Sequence, residues 1–246
     1  MVLFTKTSSF SASSFVGTYY TKPRSKVERH LDDLLADAVE TESVEIVQYL
    51  LRKGAQAPNG ARTDYDSPDD ALQRGHAWVD LIDRAALSSK KDNKSNNNNN
   101  DDDEAAAKAD VLIRKSGHNG LVSGEWVDYA IRHEKTGALR AILSKDGQYY
   151  RPNAHQCEHL HVAVDTVTPN LEILELLLQS GLENVNKIPK KDNRPYAGEA
   201  PLHVATRRKC PAAIRLLRKY GANVDIRGKN FRRTVRVVCA KIRMFE

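Results

Sequence analysis

The strongest constraint on the fold of this chain is a pattern of two helical segments and a glycine that occurs several times. In its clearest copy, Pro201–Ala205 is followed by the apolar run Ala213–Leu217 and then by Gly221. The same order appears between residues 159 and 181 and, nearer the start, between residues 35 and 54. Because one helix pair cannot bury its apolar side alone, such copies must pack against one another in a row. The pattern predicts an all-α solenoid.

Glycines mark the end of each unit. A glycine after the second helix permits the left-handed backbone conformation that commonly ends a helix. The glycines that fit this role are Gly54, Gly117, Gly147, Gly181 and Gly221. The pattern is clearest at 155–225 and weaker at 66–147.

One long interval between these glycines contains a stretch that does not fit a packed unit. Residues 88–104 have no apolar side chain and include five consecutive Asn followed by three Asp. Such a stretch cannot bury enough surface to offset the entropy lost on ordering. We therefore expect a disordered Asn/Asp-rich insertion at 88–104, with a helix resuming at Ala105.

The helix order and the segment Ala200-Pro201-Leu202-His203 resemble the ankyrin-repeat family. The unit of that family has ~33 residues and consists of a β-turn and two antiparallel helices. Its Thr-Pro-Leu-His signature ties neighbouring units by hydrogen bonds. The resemblance implies an all-α ankyrin-repeat solenoid at 28–246, built from about five helix-pair units and a terminal half-unit at 230–246.

Both ends of the chain depart from the pattern. Residues 1–27 contain no acidic residue, several Ser and Thr and four basic residues. This composition fits a disordered basic leader, and organelle transit peptides, mitochondrial ones included, share it. The half-unit at 230–246 stops before a second helix. It is either a C-terminal cap or the edge of a fragment of a larger multidomain protein.

The sequence contains none of three common catalytic motifs. A phosphate-binding Gly-x4-Gly-Lys-Ser/Thr loop, a Gly-x-Ser-x-Gly turn and a His-Glu-x-x-His pair are all missing from it. We therefore expect no enzymatic activity, no cofactor and no small-molecule substrate. No apolar run approaches the ~18 residues of a membrane span, so no membrane association is expected. The chain has three cysteines, which favours a reducing compartment, the cytoplasm or the nucleus.

One cluster of metal-ligand residue types occurs before the fourth unit. His155, Cys157, His159 and His161 alternate along the chain, so in an extended segment they would point the same way. Nitrogen and sulfur ligands of this kind suit zinc. However, the resemblance makes His161 a signature histidine, and no second ligand pair follows at finger-type spacing. We favour a structural role for the cluster and leave zinc as the alternative.

Two tryptophans, Trp78 and Trp126, are each followed by Val and Asp. Tryptophan is enriched in interface hot spots, but it also packs well between neighbouring structural elements. We favour packing between adjacent units.

Charge is distributed unequally along the chain. Residues 187–246 contain seventeen Lys and Arg and four acidic residues, whereas the whole chain has a net charge of +6. The last quarter is therefore strongly basic and should attract acidic partners. Because stacking aligns successive units, these basic residues would form one stripe.

The basic stripe is the predicted binding site. By resemblance, ankyrin-repeat proteins bind partner proteins with the connections between units (the fingers) and with the concave helix face. Tyrosine and arginine are common in such contacts. We therefore expect a non-catalytic adaptor that binds an acidic protein. Its predicted contact residues are Tyr149, Tyr150, Arg151, Lys190, Lys191, Arg194, Tyr196, Arg207 and Arg208.

Two other interpretations of the basic residues remain open. They are either an ordinary solvated surface or a site for nucleic acid or nuclear import. Against nucleic acid, no base-reading motif is present, and aromatic residues do not alternate with the basic ones.

Overall fold

The computed structural model describes residues 25–57, 68–91, 99–116, 121–144, 149–150, 158–166, 168–189 and 196–228. Within these residues it contains ten helices. They are α1 (Lys26–Thr41), α2 (Val44–Arg52), α3 (Pro68–Lys91), α4 (Asn99–Ser116), α5 (Gly124–Arg132), α6 (Thr136–Leu143), α7 (His159–Asp165), α8 (Leu171–Gln179), α9 (Pro201–Arg207) and α10 (Pro211–Lys219). Consecutive helices form five pairs, α1–α2 to α9–α10, which are numbered first to fifth below.

The pairs stack in chain order. The odd-numbered helices contact one another in the series α1, α3, α5, α7 and α9, and the even-numbered helices contact one another in the series α2, α4, α6, α8 and α10. The two layers enclose one continuous core. The prediction of an all-α solenoid of helix pairs is therefore confirmed.

Local sequence explains where several helices begin. Ser25 accepts a hydrogen bond from the Glu28 N–H at 3.2 Å, and the Glu28 carboxylate accepts one from the Ser25 N–H at 2.7 Å, which completes a capping box at α1. Asn170 caps α8 in a similar way, through the N–H groups of Glu172 and Ile173. Pro201 and Pro211 stand at the first positions of α9 and α10, where the missing N–H has no cost.

The predicted glycine stops are present at the ends of three second helices. Gly54, Gly181 and Gly221 have φ values of 96°, 63° and 87°, which are the left-handed values expected there. Two non-glycine residues also adopt positive φ. Glu134 (55°) and Lys209 (54°) occupy the short turns between the two helices of the third and fifth pairs.

The predicted boundaries of the insertion at 88–104 are wrong at both ends. Helix α3 continues to Lys91, and helix α4 begins at Asn99, so only residues 92–98 of that stretch lie outside the described residues. Acidic residues at the start of α4 suit the positive end of the helix dipole. In addition, the Glu104 carboxylate accepts a hydrogen bond from the Val44 N–H at 3.2 Å, which attaches the start of α4 to α2.

The chain ends are described in part. Helix α1 begins at Lys26, so the last two residues of the predicted leader at 1–27 are helical and the boundary lies earlier than expected. Residues 1–24 and the predicted half-unit at 230–246 lie outside the described residues.

A candidate partner-binding surface on the fourth and fifth helix pairs

Two buried histidines hold the fourth and fifth pairs in register. Nε2 of His161 lies 2.9 Å from the backbone oxygen of Glu199, and Nδ1 of His203 accepts the Ala200 N–H at 3.0 Å. A carbonyl oxygen only accepts, so Nε2 of His161 carries the proton. Burial is the main reason that the pKa of His161 falls to about 4, which keeps the ring neutral at physiological pH. The histidines of the predicted signature therefore act as structural ties.

A second tie connects the loops that follow α8 and α10. The side-chain amide of Asn186 donates to the Gly221 carbonyl at 3.2 Å, and its oxygen accepts the Asn223 N–H at 2.7 Å. This one side chain satisfies backbone groups of the neighbouring unit on both sides. The surface formed by the two pairs is thereby preformed.

The exposed side of these two pairs carries a cluster centred on Asp165, the last residue of α7. The Asp165 carboxylate accepts hydrogen bonds from Nε of Arg208 at 2.7 Å and from Nη2 of Arg207 at 3.4 Å. It also accepts one from the Tyr196 hydroxyl at 3.4 Å. Arg207 lies 3.4 Å from the Glu199 carboxylate as well. We call these five residues the Asp165 cluster.

Electrostatics within the Asp165 cluster favours ionised Asp165 and neutral Tyr196. Burial would raise the pKa of Asp165, but the hydrogen bond and charge of Arg208, with the charge of Arg207, outweigh it and lower that pKa. Burial, followed by the negative charge of Asp165, raises the pKa of Tyr196 to about 12. The cluster therefore keeps one carboxylate and two guanidinium groups charged over the physiological pH range.

The structure brings three of the predicted contact residues together in this cluster: Tyr196, Arg207 and Arg208. The two arginines remain accessible, with 43% and 40% of their side chains exposed. Four other predicted contact residues lie outside the described residues. These are Arg151, Lys190, Lys191 and Arg194.

The three predicted tyrosines are core residues, which corrects their expected place on a contact surface. Tyr149 and Tyr150 are 3% exposed and Tyr196 is 6% exposed. Each ring has found an internal neighbour. The Tyr150 hydroxyl bonds to Nε2 of His159, the Arg114 guanidinium lies 6.0 Å from the centre of the Tyr149 ring, and Tyr196 stacks on His161 at 5.3 Å. Rings covered in this way offer little area to a partner.

The acidic members of the cluster, Asp165 and Glu199, were not predicted from the sequence. A signal for Asp165 exists in the repeat itself. When the segment ending His161-Val162-Ala163-Val164-Asp165 is aligned with His203-Val204-Ala205-Thr206-Arg207, Asp165 takes the same position as Arg207. Equivalent positions of adjacent units are neighbours in a stack, so opposite charges there indicate an ion pair.

Ion pairs between adjacent pairs also occur on the second helices. Arg140 of α6 lies 2.6 Å from Glu172 of α8, and Lys219 of α10 lies 3.0 Å from Glu175 of α8. Part of the basic charge counted in the sequence is therefore balanced by acidic groups of the preceding or following unit.

The histidines of the candidate zinc cluster that the structure describes have structural partners. Nδ1 of His159 lies 2.6 Å from the Asp128 carboxylate, and His161 bonds to the Glu199 carbonyl. In the described part of the chain, no group of three or more His, Cys, Asp or Glu residues has a metal-binding arrangement. His155 and Cys157 lie outside it.

Aromatic residues join the second and third pairs. His76 of α3 stacks on Tyr129 of α5 with ring centres 3.8 Å apart, and His133 lies on the other neighbour distance of 4.3 Å from the same ring. Trp78 and Trp126 are half-buried and pack against the core. A Cβ atom added at Gly75 would lie 2.1 Å from Nε1 of Trp126, so the indole rests directly on the α3 backbone. Both tryptophans therefore contribute to packing between units.

No helix in the described ranges combines the length and the apolar content that a bilayer span requires. Comparison with curated proteins finds no match for the chain. The family model of the ankyrin repeat matches residues 197–229, which contain the fifth helix pair and the residues of its two flanking loops. Because this matched unit is stacked on four further helix pairs with the same helix order, the chain belongs to the ankyrin-repeat family.

Proposed function

We propose that this ankyrin-repeat protein is an adaptor that binds an acidic segment of a partner protein through the basic fingers and concave face of its fourth and fifth helix pairs. The ankyrin repeat is a protein–protein interaction module and is typically non-catalytic. The observation that supports the choice of surface is the Asp165 cluster, in which Arg207 and Arg208 are held in place and still accessible.

The geometry of the two arginines suits carboxylate binding. A guanidinium group has five N–H donors, and Arg208 directs its Nε–H to Asp165. The remaining donors of the group point away from this bond and can bind a second carboxylate. Immobilising a long side chain costs about 0.5–1.5 kcal/mol on binding. Because Asp165 already restrains both arginines, a partner carboxylate avoids much of that cost.

The cationic surface extends beyond the Asp165 cluster in both directions along the sequence. Lys209 is exposed directly after Arg208. Lys190, Lys191 and Arg194 belong to the connection between α8 and α9, the finger of the fifth pair. We propose that this finger supplies further contacts to the same acidic segment. The adaptor would act in the cytoplasm or the nucleus.

The test compares the proteins captured by the intact chain with those captured by a charge-reversal variant. Arg207→Glu with Arg208→Glu should lose the partner, as should a second variant that reverses Lys190, Lys191 and Arg194. The matched control is Arg140→Glu with Arg215→Glu, which reverses two exposed arginines on second helices. Captured proteins are identified by mass spectrometry after circular dichroism has confirmed equal helix content.

The outcome has two clear alternatives. Loss of an acidic partner in the two test variants and its retention in the control supports the proposed surface. An unchanged set of captured proteins in both test variants would overturn it.

Nucleic acid is a weaker candidate for the same surface. The pairing of Arg207 and Arg208 with Asp165 and Glu199 places carboxylates where a phosphate backbone would have to approach. Binding through phosphates would weaken steeply with salt. A mobility shift of random duplex DNA or RNA at low salt that disappears at physiological salt would favour this candidate over the protein-binding one.

A further inference from the structure

The outer face of the first helix pair exposes an unusual amount of apolar surface. Four of the six large apolar side chains that are exposed among the described residues belong to α1 and α2. These are Val27 (71% exposed), Leu34 (41%), Ile46 (40%) and Tyr49 (56%). We call these four residues the N-terminal face.

The equivalent positions in later units show what this face is built for. Ile46 immediately precedes the buried Val47 of α2, and its counterparts in the third, fourth and fifth pairs are Ala138, Ile173 and Ala213. Those three are 0%, 1% and 0% exposed. Each of those pairs has a preceding pair stacked against it, which the first pair lacks within the described ranges. The N-terminal face is therefore a stacking face without its neighbour.

The segment that precedes the first pair has the right composition to cover this face. Residues 1–24 contain Phe4, Phe10 and Phe15, which are three of the five phenylalanines of the chain, and two adjacent tyrosines, Tyr19 and Tyr20. The segment joins directly to Ser25, the capping residue of α1. A tether of this length gives an effective concentration of about millimolar, so that even a weak apolar contact is populated.

Charge also favours this segment over a second copy of the chain. Residues 1–24 contain three basic residues and no acidic one, whereas residues 25–57 contain seven acidic and four basic residues. The leader and the first pair are therefore oppositely charged. Two copies of the N-terminal face would instead bring two acidic units together, which costs free energy.

We propose that residues 1–24 fold back onto the N-terminal face and bury its apolar side chains beneath their aromatic residues, as an internal cap of the repeat array. The cap would replace the missing preceding unit, since the end units of a repeat array need a covered or polar outer face for solubility. It would also make the face available to a partner only after the leader is displaced.

Protease access to the leader tests this proposal in the full chain. Trypsin cuts after Lys6, and chymotrypsin cuts after Phe10 and Phe15. Cleavage of a docked segment requires undocking, so its rate follows the undocked fraction. We expect the double variant Ile46→Asp with Tyr49→Asp to be cut about tenfold faster at these sites than the natural chain. The matched control is Leu171→Asp, which changes an apolar side chain of equal exposure (41%) on α8.

A second variant guards against loss of folding. Phe10→Ser with Phe15→Ser leaves α1 and α2 unchanged and should speed tryptic cleavage after Lys6 by a similar factor. Light scattering reports the oligomeric state of every sample. Equal cleavage rates in the natural chain and in both variants would overturn the proposal. A dimer that the Ile46 and Tyr49 changes dissociate would also overturn it, because the face would then be occupied by a second copy.

Discussion

Neutralisation of His161 by burial should make the protein sensitive to mild acid. The pKa of His161 is about 4 in the folded chain, against an ordinary value of 6.5 in the unfolded chain. Burial dominates, Glu158 and the Glu199 carbonyl oppose it, and the charge of Lys187 adds to it. Because the folded pKa is depressed, the stabilisation is complete above pH 6.5 and is lost as the pH falls toward 4. Each pH unit in this window costs up to about 1.4 kcal/mol.

The expected loss between pH 7 and pH 5 is about 2 kcal/mol from this residue alone. The perturbation is His161→Gln, since its amide nitrogen can still donate to the Glu199 carbonyl but does not titrate. Urea unfolding followed by circular dichroism at pH 5, 6 and 7 gives the free energy of unfolding. The variant should lose about 2 kcal/mol less than the natural chain over this range, whatever its stability at pH 7.

Other groups are accounted for by comparing variants at the same pH. His203 and His76 also have lowered pKa values, mainly through burial, and they remain in both proteins. The exposed His30 provides a control, because His30→Gln should leave the pH dependence unchanged. If His161→Gln and the natural chain lose the same free energy between pH 7 and pH 5, the buried neutral state inferred for His161 is wrong.

Three further substitutions test the packing of the array by equilibrium unfolding. Glu134→Gly should raise the free energy of unfolding by about 0.5–1 kcal/mol, because it relieves a positive φ of 55°, and a loss of stability would contradict this. Gly75→Ala should cost about 1–3 kcal/mol because its methyl group meets the Trp126 ring, and a neutral effect would show that the indole can move away. Leu139→Ala, at a side chain that is 0% exposed, should cost about 2–5 kcal/mol, whereas the half-exposed Leu171→Ala should cost much less.

The sequence contains enough information for the helix pairs and their ends. Gly54, Gly181 and Gly221 announce the left-handed stops, and the recurring histidines announce the ties between units. These features are local or repeat at fixed spacing, so they can be read without coordinates. The family match at 197–229 falls in the part of the chain where the repeat pattern is clearest.

Features that depend on distant contacts were not predicted correctly. The start of α4 at Asn99 is stabilised by Glu104 binding the Val44 N–H, sixty residues earlier in the chain. The burial of Tyr150 depends on His159 lying next to its hydroxyl. Composition alone presents the first stretch as a disordered loop and the second residue as a surface anchor. Asp165 was missed for a different reason, because counting charges along the sequence does not compare equivalent positions of adjacent units.

The opposite charges at equivalent positions of adjacent pairs give each unit a fixed address in the array. Asp165 and Arg207 occupy the same position of the fourth and fifth pairs and lie 3.4 Å apart. If the fourth pair were duplicated in tandem, two aspartates would meet at that distance, and a duplicated fifth pair would set two arginines against each other. Lengthening this protein by copying a unit therefore carries an electrostatic penalty at the new junction, and gene duplications that persist would need a compensating charge change there.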